Sequence, residues 1–203
     1  MPMRAVRALL AALALLSWAP AAVADGLPPV TSADRSIGRA DAPVTVVEYA
    51  SFACPACASW HEMVWPLFKA RFVDTGQVRF VFRNLPTQPA QVSMTGAALA
   101  RCAAPDRFFD VASALMKGQS AVLHGGTYDD WYAPAIAASG RTRAQIDACV
   151  VTPATRAAID ADIASAQAAG VSHTPSFFIN GRPVADRSFG GLVAAITPLL
   201  GGR

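Results

Sequence analysis

The sequence predicts an α/β fold with an inserted all-helical domain. Apolar, β-branched or aromatic runs lie toward both ends of the chain, at "VTVVEYA" (Val44 to Ala50) and "SFFIN" (Ser176 to Asn180). From about Pro89 to Gly170 the intervening chain is alanine-rich, with apolar residues at helical spacing. A close cysteine pair, Cys54 and Cys57, stands where the first of these strands gives way to a helix-patterned segment.

Each element follows from local pattern. "MPMRAVR" is basic, "ALLAALALLSWAP" is apolar, and Ala22, Val23 and Ala24 are small residues before Asp25. Residues 1–24 thus read as a secretory signal peptide cleaved after Ala24, since the apolar run is shorter than the ~18–20 residues of a spanning helix. The proline- and glycine-rich stretch Gly26 to Pro43 reads as an extended lead-in. Val44 to Ala50 is a buried strand. From Ala58, the residues Trp60, Val64, Leu67, Phe68 and Phe72 mark a helix that Pro66 kinks. Gln77 to Asn84 alternates as a second strand, with Val78, Phe80 and Phe82 on one face. The helical block divides at Pro105, Gly118, Gly125–Gly126 and Gly140. Ser176 to Asn180 is a strand, Asn180–Gly181 a hairpin turn, and "RPVAD" the return strand. "SFGGLVAAITPLL" closes the chain as a helix.

Composition excludes some functions. The formal charge of +3 falls to about +1 once Arg4 and Arg7 leave with the signal. Scattered arginines on a near-neutral chain give no electrostatic basis for binding nucleic acid. The mature chain of roughly 180 residues suits one soluble, exported unit, in a compartment where disulfides persist.

The stretches "VVEYASFACPACASWHE", "VRFVFRNLP" and "VSHTPSFFINGRPV" resemble the DsbA family of thiol:disulfide interchange proteins. The resemblance covers essentially all of the mature chain and implies a thioredoxin-like fold. Its thioredoxin-like domain would comprise residues 25–88 and 171–203, with residues 89–170 as the inserted helical domain. A CxxC pair between a strand and a helix, with Thr-Pro ahead of a later strand, is much more specific than CxxC alone.

At a helix start, a cysteine meets unpaired backbone N–H groups and the positive end of the helix dipole. The dipole supplies up to ~2 kcal/mol, roughly 1.5 pK units in favour of thiolate. Cys54 is therefore the expected nucleophile and Cys57 its buried resolving partner, with Pro55 suited to the first turn. A stabilised thiolate stabilises the reduced form, so the disulfide becomes the stronger oxidant. Members of the family often carry histidine inside the dipeptide; Pro55–Ala56 stands here, which sets aside an extreme oxidising strength.

Glu48 is anomalous in an apolar strand. In the family a glutamate six positions before the first active cysteine lies beneath the pair and relays protons, and Glu48 matches that spacing. The resemblance also assigns Thr174 and Pro175 to a cis-proline loop that packs on CxxC and presents an extended substrate, with the Thr174 hydroxyl near the Cys54 sulfur. His173 reads as a solvent-facing loop residue. Cys102 and Cys149 are expected to form a structural disulfide in an oxidising compartment, the alternative being two buried thiols. Neither has a close-spaced partner for zinc. Cys57 and His61 lie one turn apart, but His61 reads as a helix-surface residue, so no metal is expected.

The function implied is an exported, periplasmic oxidoreductase that introduces disulfides into unfolded exported proteins and is recharged by a membrane quinone-linked oxidase of the DsbB kind. It needs no organic cofactor, and a monomer is expected. The alternatives are an isomerase or reductase kept as dithiol, or a client-binding chaperone module with incidental thiols.

Overall fold

The computed structural model describes residues 26–201; the expected signal segment lies outside them. Five strands form one mixed sheet in the order β1-β3-β2-β4-β5. At its centre, β2 (Val44–Ala50) pairs parallel with β3 (Val78–Asn84), Val46 opposite Phe80, and antiparallel with β4 (Ser176–Ile179), Val47 opposite Phe178. A strand covered on both faces needs apolar side chains on both, which is why β2 and β3 read as near-continuous apolar runs. β5 (Arg182–Val184) follows β4 through Asn180 and Gly181, at φ 47° and 82°, as an Asn-Gly hairpin turn requires.

The fifth strand, β1 (Arg35–Ile37), was not expected. It lies within the stretch read as lead-in and pairs antiparallel with β3, Ser36 opposite Val81. Three residues carry no periodicity of their own; the pairing and one arginine hold them. Arg83 on β3 donates to Asp34 at 2.7 Å and to the carbonyls of Pro28 and Pro29 at 3.1 and 3.0 Å. This buried cation is thus paired and hydrogen-bonded, the condition under which a charge is tolerated inside.

On one face of the sheet lie α1 (Pro55–Met63), α2 (Trp65–Phe68) and α8 (Phe189–Leu200). Trp60, Trp65, Phe68, Leu192 and Ile196 pack there on Val44, Val46, Phe80 and Phe177. The expected kink occurs at Val64, and Pro66 sits in the first turn of α2, before a π-helical turn over Lys69–Val73. The other face packs Val47, Tyr49, Val81 and Phe178 on Ala166 of α7 (Pro153–Ala168).

The remaining helices are α3 (Ala90–Arg101), α4 (Phe108–Leu123), α5 (Tyr128–Ala138) and α6 (Arg143–Val150). Thr127, Thr142 and Thr152 cap the helices that follow them, Thr142 with Gln145 in a reciprocal capping box. One break point is corrected: Gly118 lies inside α4 rather than between helices. A Cβ there would approach Trp131 Cδ1 to 2.8 Å, so this glycine permits α5 to close on α4. The core of this block, with Leu115, Trp131, Ile146 and Ile159, continues onto Phe52, Cys57 and Phe82. The structure is thus a thioredoxin-like α/β sheet with an inserted helical region, and that region packs on the end of the sheet that carries the cysteine pair.

Candidate active site

The site forms where β2 ends and α1 begins. Cys54 is the N-cap of α1, with extended backbone (φ −91°, ψ 113°), and its Sγ accepts from the Cys57 N–H at 3.4 Å. Both are free thiols, Cys54 half-buried and Cys57 fully buried. The sulfur of Cys54 thereby does what a serine or aspartate oxygen does at other helix starts: it satisfies an amide left without an intrahelical partner.

The two thiols are driven apart. Hydrogen bonding from Cys57 to the Cys54 sulfur, supported by the Thr174 side chain and the N–H groups of Cys57 and Ala56, outweighs partial burial and lowers the Cys54 pKa from 9.0 to about 5. Burial pushes the Cys57 thiol far up, with the hydrogen bond to Cys54 and the charge of Glu48 adding to the rise. One sulfur is prepared as thiolate and the other held as thiol.

Pro175 follows a cis peptide bond from Thr174. The Cys54 thiol donates to the Thr174 carbonyl oxygen at 3.4 Å, so the backbone of this loop meets the sulfur as well as the side chain. Two further contacts, not legible beforehand, fix the loop. Arg187 donates to the Pro175 carbonyl at 3.1 Å, and the Trp60 indole donates to the Arg187 carbonyl at 2.9 Å. His173 is exposed, as expected. Beside the loop lies a groove of about 440 Å³ with His173, Pro175, Phe177, Val184 and Arg187 among its walls.

The helical block reaches the site through Gln119, 1% exposed on α4, whose amide donates to the carbonyls of Phe52 and Cys54 at 2.8 and 3.1 Å. Gly96 of α3 fits against Phe52, where a Cβ would come within 2.7 Å of the Phe52 Cβ.

Glu48 is wholly buried on the central strand. Its partner corrects the expectation for His61. This histidine is 6% exposed and points inward, with Nε2 2.8 Å from Glu48 Oε2. Cys57, Trp60 and His61 together form the buried stripe of α1. The spacing of Cys57 and His61 was visible; the carboxylate that draws the ring inward lies on another element. Cys102 and Cys149 are joined in a disulfide between the end of α3 and α6. Among the described residues there is no cluster of three or more His, Cys, Asp or Glu able to hold a metal ion.

The chain is similar to the "Probable disulfide bond formation protein D" of Bacillus cereus, 46% identical over 55 residues that cover 27% of this chain and 26% of that one. It spans about a quarter of the length of three of its curated relatives, that protein among them. Among solved structures, the oxidised BdbD of Bacillus subtilis superposes with a TM-score of 0.75 at 20% identity, covering 88% of this chain and 98% of that one. Wolbachia pipientis alpha-DsbA1 superposes with a TM-score of 0.72 at 22% identity, covering 85% and 93%. These structural likenesses establish a shared fold, inserted helical region included. A family model described as "Thioredoxin" matches residues 31–197, a span that holds the cysteine pair, the helical block and the Thr174–Pro175 loop, and the chain belongs to the thioredoxin family in the architecture of the DsbA proteins.

Proposed function

We propose that this protein is an exported thiol:disulfide oxidoreductase that donates disulfides to cysteine-containing proteins in the periplasm. The observation that carries the reading is the asymmetry of the pair: an accessible Cys54 lowered to about 5 beside a buried, raised Cys57. In the disulfide form, a client thiolate attacks Cys54 and expels Cys57, which takes up a proton. A second client thiolate then attacks the client sulfur of the mixed disulfide and expels Cys54 as thiolate. Two electrons pass from the client dithiol to the Cys54–Cys57 couple. A leaving thiol of low pKa favours this direction, so the oxidase reading stands although Pro55–Ala56 lacks a histidine.

Glu48 is assigned to proton transfer at Cys57, and Thr174 with Pro175 to holding an extended client segment along the adjoining groove. Residues 25–88 and 171–203 act as the redox domain, with residues 89–170 covering it. The names of the relatives support disulfide chemistry, and the start of the sequence supports export. No described helix is long and apolar enough to cross a membrane. Recharging is assigned to a membrane quinone-linked thiol oxidase, and the working form to a monomer.

Equilibration of the Cys54–Cys57 couple with glutathione tests the direction. A potential above about −180 mV is expected; a value near the thioredoxin value of about −270 mV would make the protein a reductase. Replacing both cysteines by alanine should abolish oxidation of a reduced client. Retained client protection in that variant would favour the binding-module alternative.

A further inference from the structure

The Glu48–His61 pair has no evident structural need. Glu48 Oε1 and His61 Nδ1 are both buried and have no hydrogen-bond partner, and an unmade bond at a buried polar atom costs about 1–3 kcal/mol. Apolar side chains at both positions would fit the surrounding core at lower cost. The placement is informative. Glu48 lies on β2, directly before the active turn, and is fully enclosed. His61 lies one turn beyond Cys57 on the same buried stripe of α1. His61 is also among the residues that line a cleft of about 310 Å³ between α1 and α4, with Glu62, Ser113 and Lys117, and its side chain lies 2% exposed beneath that cleft. The rings of Trp60, Trp65 and Phe82 pack around the imidazole at centroid distances of 5.1, 5.9 and 5.9 Å. The ionisable groups disposed around His61 are therefore Glu48 from the sheet, Cys57 and Glu62 from α1, and Lys117 from α4.

We infer that His61 is the outer member of a two-residue proton relay, carrying protons between the enclosed Glu48 and the α1–α4 cleft, and so serving the protonation and deprotonation of Cys57. The inference rests on the oxidoreductase reading above. In the recharging direction, the Cys57 thiol gives its proton to the Glu48 carboxylate. The Cys57 sulfur then attacks Cys54 in the mixed disulfide, the Cys54–Cys57 bond forms, and the partner leaves as thiolate. Glu48 passes the proton to His61, and His61 releases it at the cleft. In client oxidation the proton travels the opposite way, to the departing Cys57. His61 touches no substrate; it acts through Glu48.

The test separates the two cysteine steps in one trace. The reduced protein is mixed with excess 5,5′-dithiobis(2-nitrobenzoate) in a stopped-flow instrument. Cys54 attack releases the first coloured thiolate in a concentration-dependent phase. Cys57 attack on the mixed disulfide releases the second in a concentration-independent phase. For His61→Gln, which keeps an amide donor toward Glu48, the first phase should match the wild type. The second should slow about tenfold near pH 6 and rejoin the wild type by about pH 9, where hydroxide takes the proton directly. Glu48→Gln should show the same pH-dependent deficit, and the double variant should be no slower than the slower single one. A second phase that is unchanged in His61→Gln, or slowed equally at every pH as a packing defect would be, overturns the relay. Should His61→Gln not fold, an unchanged second phase in Glu48→Gln overturns it instead. If the wild type itself lacks a concentration-independent second phase, the oxidoreductase reading fails, and the relay with it.

Discussion

At the scale of single residues, the central fact is that one sulfur caps a helix and is held toward thiolate by the hydrogen bonds of Cys57, the capped amide among them. Since the Cys54 pKa in the folded protein is about 5 against 9.0 for the ordinary thiol, the reduced protein should gain stability as pH rises from about 5 toward 9. It should lose that increment as pH falls back through about 5. Above about 9 the buried Cys57, shifted the other way, opposes the gain. The expected observation is that urea midpoints of the reduced protein and of Cys54→Ser diverge steadily between about pH 5 and pH 8; parallel curves would contradict the low pKa. Thiolate absorbance in the ultraviolet should titrate near pH 5 in the same protein. Accessibility sets a second expectation. Cys57→Ser should accumulate a covalent adduct on Cys54 when given a peptide activated as a mixed disulfide, and Cys54→Ser should accumulate little, as read by intact mass without reductant. Equal yields would reverse the assignment of the two cysteines. Most of this was legible in the sequence, because CxxC at a strand-to-helix junction and a carboxylate in an apolar strand are both anomalies of local pattern. His61 was not, since what buries it is a partner 13 residues away on the sheet, and helix periodicity alone leaves a histidine beside Glu62 and Met63 on the surface.

At the scale of elements, the turn that carries the cysteine pair is held from the helical block. Gln119 occupies the carbonyls on both sides of Ala53, so α4 braces the backbone at Cys54. Gln119→Ala leaves the buried Phe52 carbonyl without its amide partner, while the Cys54 carbonyl keeps the N–H groups of Cys57 and Ala58, and a cost of about 1–2 kcal/mol is expected. It should appear as a lower urea midpoint with faster amide exchange at Cys54 and Cys57. Unchanged exchange there would mean that the bonds serve only the packing of α4. No sequence pattern announces such a brace: a glutamine on an amphipathic helix reads as solvent-facing until the neighbouring element is known. The same reason hid β1, whose three residues acquire strand geometry only from β3, and misassigned Gly118, whose meaning lies in Trp131 on the next helix. Elements defined by their own periodicity, β2, β3 and the hairpin, were read within a residue or two.

At the scale of the whole molecule, the Cys102–Cys149 disulfide ties the helical block across 47 residues, for which chain entropy predicts a stabilisation of about 4 kcal/mol. Replacing both by alanine should lower stability by up to that amount and leave the potential of the Cys54–Cys57 couple nearly unchanged. A large shift in the couple would make the second pair part of the redox chemistry. The sheet order carries a further consequence. β4 lies directly against β2, yet the whole helical block separates them along the chain. On the proposed export route, a chain that emerges from its amino end therefore exposes Cys54, Cys57, Cys102 and Cys149 before Thr174, Pro175 and β4. During that interval four ordinary thiols stand exposed together, before the contacts that set Cys54 apart have formed, and wrong pairings such as Cys54 with Cys102 would compete. Oxidative refolding of the denatured, reduced protein should pass through scrambled species that disappear when Cys102 and Cys149 are alanine. On the proposed function, a protein that makes disulfides in others would then be, during its own maturation, among the chains that need such pairings corrected.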